Sequence, residues 1–158
     1  MHDLSHQLHP SRPEVLGLVT AIRSVCSDTL RQHGITVEFR DEAVPLTIDG
    51  GVSLCAYRIV QEALRNVVKH SGAARARVEL TGLGTALELV VADEGRGFVL
   101  DSAGLSGLGL VSMRERVKLL DGEIGIRSEP GMGTRLDARI PLAVSASRVR
   151  AADGQRSA

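Results

Sequence analysis

Residues 93–98, Asp-Glu-Gly-Arg-Gly-Phe, have the residue types and spacing that best fit ligand chemistry. They follow an apolar run, residues 87–92, which predicts a buried strand. Gly95 and Gly97 allow the backbone to pass close to a ligand without a Cβ in the way. An ionised carboxylate only accepts hydrogen bonds, so Asp93 suits a ligand amino group such as that of adenine. The same pattern also fits a plain glycine turn after a strand.

A second set of functional residue types lies upstream, on a helix predicted over residues 52–70. Glu62 and Asn66 are four residues apart, so they project from neighbouring turns at the edge of the apolar stripe. They border the apolar stripe and are therefore expected at a half-buried edge of the helix. A solvated helix face, with Glu62 paired to Arg58 or Arg65, fits the same residues.

Two further segments have chemistry that suits phosphate. Lys69 and His70 end the predicted helix, although two cations at a helix C-terminus also simply favour the helix dipole. Residues 104–110, Gly-Leu-Ser-Gly-Leu-Gly-Leu, lead into another predicted helix, and the unpaired amides of a helix N-terminus bind anions. As an alternative, Gly107 and Gly109 fit a flexible connector with a glycine near the helix start. The chain has no Gly-Lys-Ser/Thr sequence, which disfavours a P-loop nucleotide site.

A last segment, residues 128–134 (Ser-Glu-Pro-Gly-Met-Gly-Thr), leads into the final predicted strand. In their amino-acid sequences and in their order along the chain, the four segments resemble the nucleotide-binding boxes of the GHKL ATPases. That superfamily holds histidine kinases, type II topoisomerases, mismatch-repair ATPases and large heat-shock chaperones. The resemblance extends over residues 35–142 and is strongest to the catalytic ATP-binding domain of a bacterial sensor histidine kinase. As an alternative, Pro-Gly-x-Gly is a good hairpin turn and Thr a good strand residue.

The resemblance implies ATP and Mg²⁺ as the cofactors and assigns a role to each segment. Asn66 would ligate Mg²⁺ through its amide oxygen, and Glu62 would orient or deprotonate the group that attacks the γ-phosphate. Thr134 would hold the Asp93 carboxylate or a bridging water, and residues 98–109 would form a lid over the nucleotide. The residues implied in cofactor binding are Asn66, Lys69, His70, Asp93, Gly95, Gly97, Gly107, Gly109, Leu110 and Thr134.

The amino-terminal segment distinguishes among the relatives. Residues 4–10 and 16–23 resemble the junction between dimerisation helix and catalytic domain in the nitrate-sensor-like histidine kinases. The resemblance implies two partners, namely the dimerisation and phosphoacceptor helices of a histidine kinase and a response regulator. The phosphoacceptor histidine is then expected outside this chain. His2, Asp3 and Gln7 match the His-Asp-x-x-x-Gln phosphoacceptor pattern of that subfamily. An alternative is therefore that His2 itself is the phosphoacceptor.

The predicted function is therefore that of a histidine-kinase ATP-binding domain, presenting Mg²⁺-ATP for transfer to a histidine. Two alternatives remain. One is an anti-sigma-factor type serine kinase on the same fold, and the other is a non-catalytic regulator that binds nucleotide. Transfer of labelled phosphate from ATP distinguishes the three.

The elements that must position these segments follow from the hydrophobic pattern. The pattern predicts an α+β fold with a mixed sheet and helices on one face. The resemblance implies that this fold is the two-layer α/β sandwich of the Bergerat type. Residues 1–33 are expected to be the end of a dimerisation helix and a junction helix, residues 34–142 the ATP-binding domain, and residues 143–158 a disordered tail. Helices are predicted over 1–8, 14–32, 52–70 and 108–120, and strands over 35–39, 76–81, 86–92, 123–127 and 134–141.

Composition excludes several other classes of function. Lys and Arg number 19 and Asp and Glu number 19, so no net charge draws the chain to nucleic acid. Aromatic residues make up only 2%, which disfavours base stacking on aromatic side chains. No apolar run reaches membrane-spanning length. Cys26 and Cys55 lie at apolar helix positions, as expected of reduced thiols in a cytoplasmic protein.

Overall fold

The computed structural model describes residues 17–99 and 109–142. Within these ranges the chain forms three α-helices, one π-helical turn and five strands. The helices are α1 (Leu18–His33), α2 (Gly50–Asn66) and α3 (Leu110–Leu119), and the π turn (Val67–Ser71) continues α2. The strands are β1 (Thr36–Glu42), β2 (Arg75–Gly82), β3 (Ala86–Asp93), β4 (Glu123–Ser128) and β5 (Thr134–Pro141).

The five strands form one mixed sheet in the order β1-β2-β3-β5-β4. β1 and β2 are parallel, and every other neighbouring pair is antiparallel. The prediction of an α+β fold with a mixed sheet is confirmed. β2 and β3 form the expected hairpin, and β4 and β5 form the expected last pair.

Strand alternation decides which side chains face the helices. On β3 the inner face carries Leu87, Leu89 and Val91, all buried in the core. Continuing that alternation by two residues brings Asp93 to the same face, at the end of the strand. The register pairs Asp93 with Thr134 on β5, and Thr134 in turn with Ser128 on β4. The inner face of the sheet is therefore apolar along most of its length and polar at one end, where Asp93, Thr134 and Ser128 are neighbours.

The helices cover this inner face. On α2 the residues packed into the core include Val52, Ala56, Ile59 and Ala63. Asp49 caps the start of this helix, and its Oδ1 accepts a hydrogen bond from the amide of Gly51 at 2.9 Å. α1 packs on β1 and α2 through Leu18, Ala21, Ile22 and Cys26. α1 thus shares the core of the domain whose start was expected at residue 34.

The helix expected over residues 52–70 is α-helical only as far as Asn66. The next five residues form a π turn, and Gly72 ends it in the left-handed conformation with φ +66°. The expected helix over residues 1–8 and the tail over residues 143–158 lie outside the described residues.

Cys26 and Cys55 are buried free thiols, and burial raises the pKa of Cys26 to about 12 and that of Cys55 to about 11. Both are therefore protonated at neutral pH and serve as small apolar residues of the core. Among residues 17–99 and 109–142, every helix is too short or too polar to span a bilayer.

Candidate nucleotide site

A cavity of about 460 Å³ opens between α2 with its π turn on one side and the inner face of β3, β4 and β5 on the other. Its size falls within the range typical of small-molecule sites. Its walls are mainly apolar, with Ala63, Val67, Val91, Phe98, Leu110, Ile126 and Leu136. The polar side chains on it are Asn66, Lys69, His70, Ser71, Asp93, Arg96 and Thr134. An apolar slot with a few convergent polar groups suits a flat heterocycle that carries a charged tail.

Asp93 is the carboxylate of this cavity and is half-buried at the end of β3. Its Oδ1 accepts a hydrogen bond from the amide of Gly95 at 2.8 Å. Burial raises the pKa of Asp93 above its ordinary value, and hydrogen bonds from the backbone of Gly95 and Thr134 act in the opposite direction. The carboxylate is therefore oriented by the backbone, with remaining acceptor capacity available to a ligand.

Gly95 lies against the end of the π turn. A Cβ at this position would come within 2.3 Å of the carbonyl oxygen of Ser71 and 2.8 Å of Asp93 Oδ1. The next amide, that of Arg96, donates to the same Ser71 carbonyl at 2.8 Å. Only glycine allows this close approach, so the turn after β3 and the end of the π turn are fixed to each other.

The π turn explains where two of the expected phosphate ligands point. Its five residues include Lys69 and His70, whose exposed side chains lie on the cavity wall. The hydroxyl of Ser71 donates to the carbonyl of Val67 at 2.7 Å and accepts from the amide of Ala73 at 3.0 Å, which secures the turn. Such wide turns are frequent at functional sites in helices.

A second fixed junction joins residues 96–98 to the turn between β4 and β5. A Cβ on Gly97 would lie 2.0 Å from the carbonyl oxygen of Glu129, and the amide of Gly131 donates to the carbonyl of Arg96 at 2.7 Å. Ser128 stands at the centre of this junction. Its Oγ accepts from the amide of Phe98 at 2.9 Å and contacts Thr134 Oγ1 at 2.9 Å.

Glu62 lies beside the start of α3 and not on the cavity wall. Gly109 precedes α3 with φ +69°, and a Cβ on it would come within 2.4 Å of Glu62 Oε1. The alternative pairing with Arg65 also exists, at 3.6 Å between Nη1 and Oε2, whereas Arg58 bonds to Gln61. The Glu62 carboxylate is half-buried next to the first residues of α3.

The structure brings most of the expected residues together. Gly95 and Gly109 lie next to the cavity, and Gly107 is outside the described residues. Sequence reasoning placed Phe98 at the start of the expected lid and assigned no role to Ser71, Arg96 or Ser128. Ser128 could have been found from its place two residues after the inward-facing Ile126. The expected cofactor residues that line the cavity are Asn66, Lys69, His70, Asp93, Gly97, Leu110 and Thr134.

The donor set also bears on the expected metal. Within the described ranges, no three His, Cys, Asp or Glu side chains are grouped as metal ligands. Mg²⁺ in phosphate sites takes one or two protein oxygens, with phosphate and water supplying the others. The half-buried Asn66 on the cavity wall provides one such amide oxygen, so the residues fit Mg²⁺ bound together with a nucleotide.

Residues 51–144 match the profile of the family described as histidine kinase-, DNA gyrase B-, and HSP90-like ATPases. The chain therefore belongs to this ATPase family. It is 32% identical over 127 residues to the signal transduction histidine-protein kinase/phosphatase DegS of Brevibacillus brevis, an alignment that covers 80% of this chain. The chain spans about a third of the length of that relative, 33%.

Two histidine kinases of known structure have a similar fold. The histidine kinase domain of the blue-light activated kinase from Erythrobacter litoralis EL346 superimposes with a TM-score of 0.64 at 24% identity, covering 79% of this chain and 65% of that one. The histidine kinase AdeS of Acinetobacter baumannii gives 0.63 at 19% identity, covering 79% and 63%. The domain therefore shares the fold of these histidine-kinase domains.

Proposed function

We propose that this domain binds Mg²⁺-ATP and presents the γ-phosphate to a histidine on the dimerisation helices of a two-component sensor kinase. A response regulator would then receive the phosphoryl group. The proposed setting is the cytoplasm, where ATP is available. The observation that carries the proposal is the position of Asp93, a backbone-oriented carboxylate at the polar end of an apolar slot.

The base would occupy the apolar part of the cavity. Its amino group would donate to Asp93, and the flat walls formed by side chains such as Val67, Val91 and Leu136 would exclude water from its faces. A carboxylate that already accepts from backbone amides keeps its direction when the ligand arrives, so little ordering is required on binding.

The phosphates would extend toward the cations and the start of α3. Lys69 and Arg96 supply positive charge on the cavity wall, and His70 on the same wall can donate a hydrogen bond to a phosphate oxygen. The first amides of α3, which starts at Leu110, would accommodate an anion. Asn66 would hold Mg²⁺, which neutralises charge on the phosphate oxygens. Phosphoryl transfer needs mainly positioning and charge stabilisation from the protein, and these groups provide both.

Glu62 is proposed as the residue that orients or deprotonates the attacking imidazole. It lies half-buried beside Gly109, next to the start of α3, where the first helical amides would meet the terminal phosphate. A carboxylate at that point can accept the imidazole N–H while the other nitrogen attacks. The roles of Glu62, Asn66 and the glycines in this reaction are all part of the proposal.

Transfer in trans tests the function. The 158-residue chain is mixed with γ-labelled ATP, Mg²⁺ and a soluble dimerisation hairpin from a kinase of the DegS type. We expect acid-labile label on the hairpin, absent when the phosphoacceptor histidine of the hairpin is replaced by alanine. Glu62→Gln should lower the transfer rate by about 10²-fold or more while leaving ATP affinity nearly unchanged.

Other outcomes of this transfer experiment would indicate a different function or refute the proposal. Acid-stable label on a protein partner would indicate a serine kinase, and ATP binding without any transfer would indicate a nucleotide-binding regulator. Acid-labile label on the chain itself, lost in His2→Ala, would identify an internal phosphoacceptor. A chain that binds no ATP would refute the proposal.

A further inference from the structure

Ser128 is a buried hydroxyl, 9% exposed, at the junction of the two turns that flank Asp93. It ends β4, and the sheet register pairs it with Thr134, which is paired on its other side with Asp93. Three groups lie within hydrogen-bond distance of its Oγ. They are the amide of Phe98 at 2.9 Å, the carbonyl of Gly133 at 3.1 Å and the hydroxyl of Thr134 at 2.9 Å.

A hydroxyl has one hydrogen and two acceptor positions, which limits how these contacts can be made. The amide of Phe98 must donate, so it uses one acceptor position of Ser128. The carbonyl of Gly133 can only accept, so it takes the single hydrogen of Ser128. The remaining acceptor position is then filled by the hydrogen of Thr134. This arrangement gives every one of the four groups a partner.

The consequence lies on the cavity side of Thr134. With its hydrogen directed to Ser128, Thr134 Oγ1 presents only lone pairs to the cavity that it lines. Asp93, its neighbour across the strands, is also an acceptor. Two adjacent acceptors favour a base edge that carries an amino group and oppose one that carries a carbonyl, since facing acceptors leave buried polar groups unpaired.

We propose that Ser128 is a positioning residue that determines base specificity, because it takes the hydrogen of Thr134 and so makes the polar end of the cavity reject 6-oxopurines. The inference rests on the proposed nucleotide function and deepens it. Ser128 does not touch the base. It acts through the hydroxyl of Thr134.

The test is the ratio of affinities for ATP and inosine triphosphate, which differ at the 6-position of the purine. Dissociation constants are measured by calorimetry on the 158-residue chain and on Ser128→Ala, Ser128→Thr and Thr134→Val. In Ser128→Ala the hydrogen of Thr134 is released and can turn to a 6-oxo group, so the preference for ATP should fall about tenfold. Ser128→Thr keeps the hydroxyl and should keep the preference.

A merely structural role would give a different result, because general loosening of the junction weakens both nucleotides equally and leaves the ratio unchanged. Thr134→Val should reduce the preference for ATP over inosine triphosphate by about the same factor. Because Ser128 is proposed to act through Thr134, the double variant Ser128→Ala/Thr134→Val should have the same affinity ratio as Thr134→Val alone. If Ser128→Ala melts below the assay temperature, Thr134→Val and Ser128→Thr carry the same test.

The inference is overturned by an unchanged ratio in folded Ser128→Ala, by an unchanged ratio in Thr134→Val, or by additive effects in the double variant. Its failure is distinguishable from that of the proposed function. A wild-type chain that binds ATP but shows no dependence of the ratio on Ser128 refutes the inference alone. A wild-type chain that binds neither nucleotide refutes both.

Discussion

The Glu62 carboxylate lies directly against the backbone of Gly109, so closely that a Cβ added to Gly109 would come within 2.4 Å of Oε1. The proposed catalytic carboxylate on α2 and the residue that starts α3 are therefore packed together, although 47 positions separate them in the chain. Glycine is required twice at position 109, for this approach and for the left-handed backbone with φ +69°.

Gly109→Ala should therefore weaken ATP binding by at least tenfold and lower the free energy of unfolding by about 1–3 kcal/mol. The added methyl group must displace Glu62, the start of α3, or both. Calorimetry with ATP and a thermal melt measure the two effects. Gly125→Ala is a matched control, because the space around Gly125 on β4 is open and its backbone is ordinary. Equal ATP affinities in the two variants would contradict the importance of the Glu62–Gly109 contact.

Asp93→Asn should separate stability from binding. Burial raises the pKa of Asp93, so its ionised form is disfavoured in the folded state and this unfavourable effect is present above its folded pKa. It is relieved as the pH falls through that pKa, since the folded state then takes up a proton before the unfolded state does. The neutral amide avoids the effect and can still accept from the Gly95 amide, but its NH₂ group would oppose the adenine amino group.

The variant should thus melt at or above the wild-type temperature at pH 7.5, and its advantage should shrink as the pH is lowered toward 4. Its affinity for ATP should fall by about 10²-fold at pH 7.5. The opposite result is a variant that melts below wild type at pH 7.5, with a difference in melting temperature that shrinks at low pH. It would show that the sign of the pKa shift is wrong.

Asn66→Ala tests the proposed metal ligand. In wild type, Mg²⁺ should strengthen ATP binding, and EDTA should remove that gain. In the variant most of the gain should be absent, whereas affinity in EDTA should stay within about threefold of wild type, since only the metal ligand is lost. Arg58→Ala, an exposed change on the same helix, should keep the full effect of Mg²⁺. A normal Mg²⁺ gain in folded Asn66→Ala would exclude Asn66 as the ligand.

Ile22→Ala tests whether α1 is part of the folded domain. Ile22 is fully buried between α1, β1 and α2, so removal of its side chain should cost about 2–5 kcal/mol in the free energy of unfolding. The affinity for ATP, measured well below the melting temperature, should not change because the cavity is elsewhere. Leu30→Ala on the same helix, at a side chain 48% exposed, should cost much less. Equal costs would mean that α1 is not packed as described.

Local patterns were enough to predict the sheet and its helices. The apolar run over residues 87–92 predicts β3 and leaves Asp93 at the end of that strand, so a strand and the position of one carboxylate along the chain are predictable from short windows. The lining of the cavity by Asn66, Lys69 and Thr134 also agrees with the segments singled out from the sequence.

Contacts between residues that are far apart in the sequence could not be predicted from local patterns. The approach of Gly95 to Ser71, and that of Gly109 to Glu62, depend on how α2 lies across the sheet, which no window of ten residues encodes. The role of Ser128 depends on three groups brought together only by the folding of β4, β5 and residues 96–98. Residues 67–71 have nothing in their composition that separates a π turn from the expected α-helix.

That π turn affects how the segment tolerates changes in length. A π turn accommodates one more residue than an α-helical turn of the same span, so deleting a single residue from Val67–Ser71 would give a regular helix with its hydrogen bonds intact. The helix would remain, but the carbonyl of Ser71 would rotate away from the Arg96 amide that it now holds at 2.8 Å. A substitution in this segment changes one side chain, whereas an insertion or deletion rotates all the following helical residues about the helix axis.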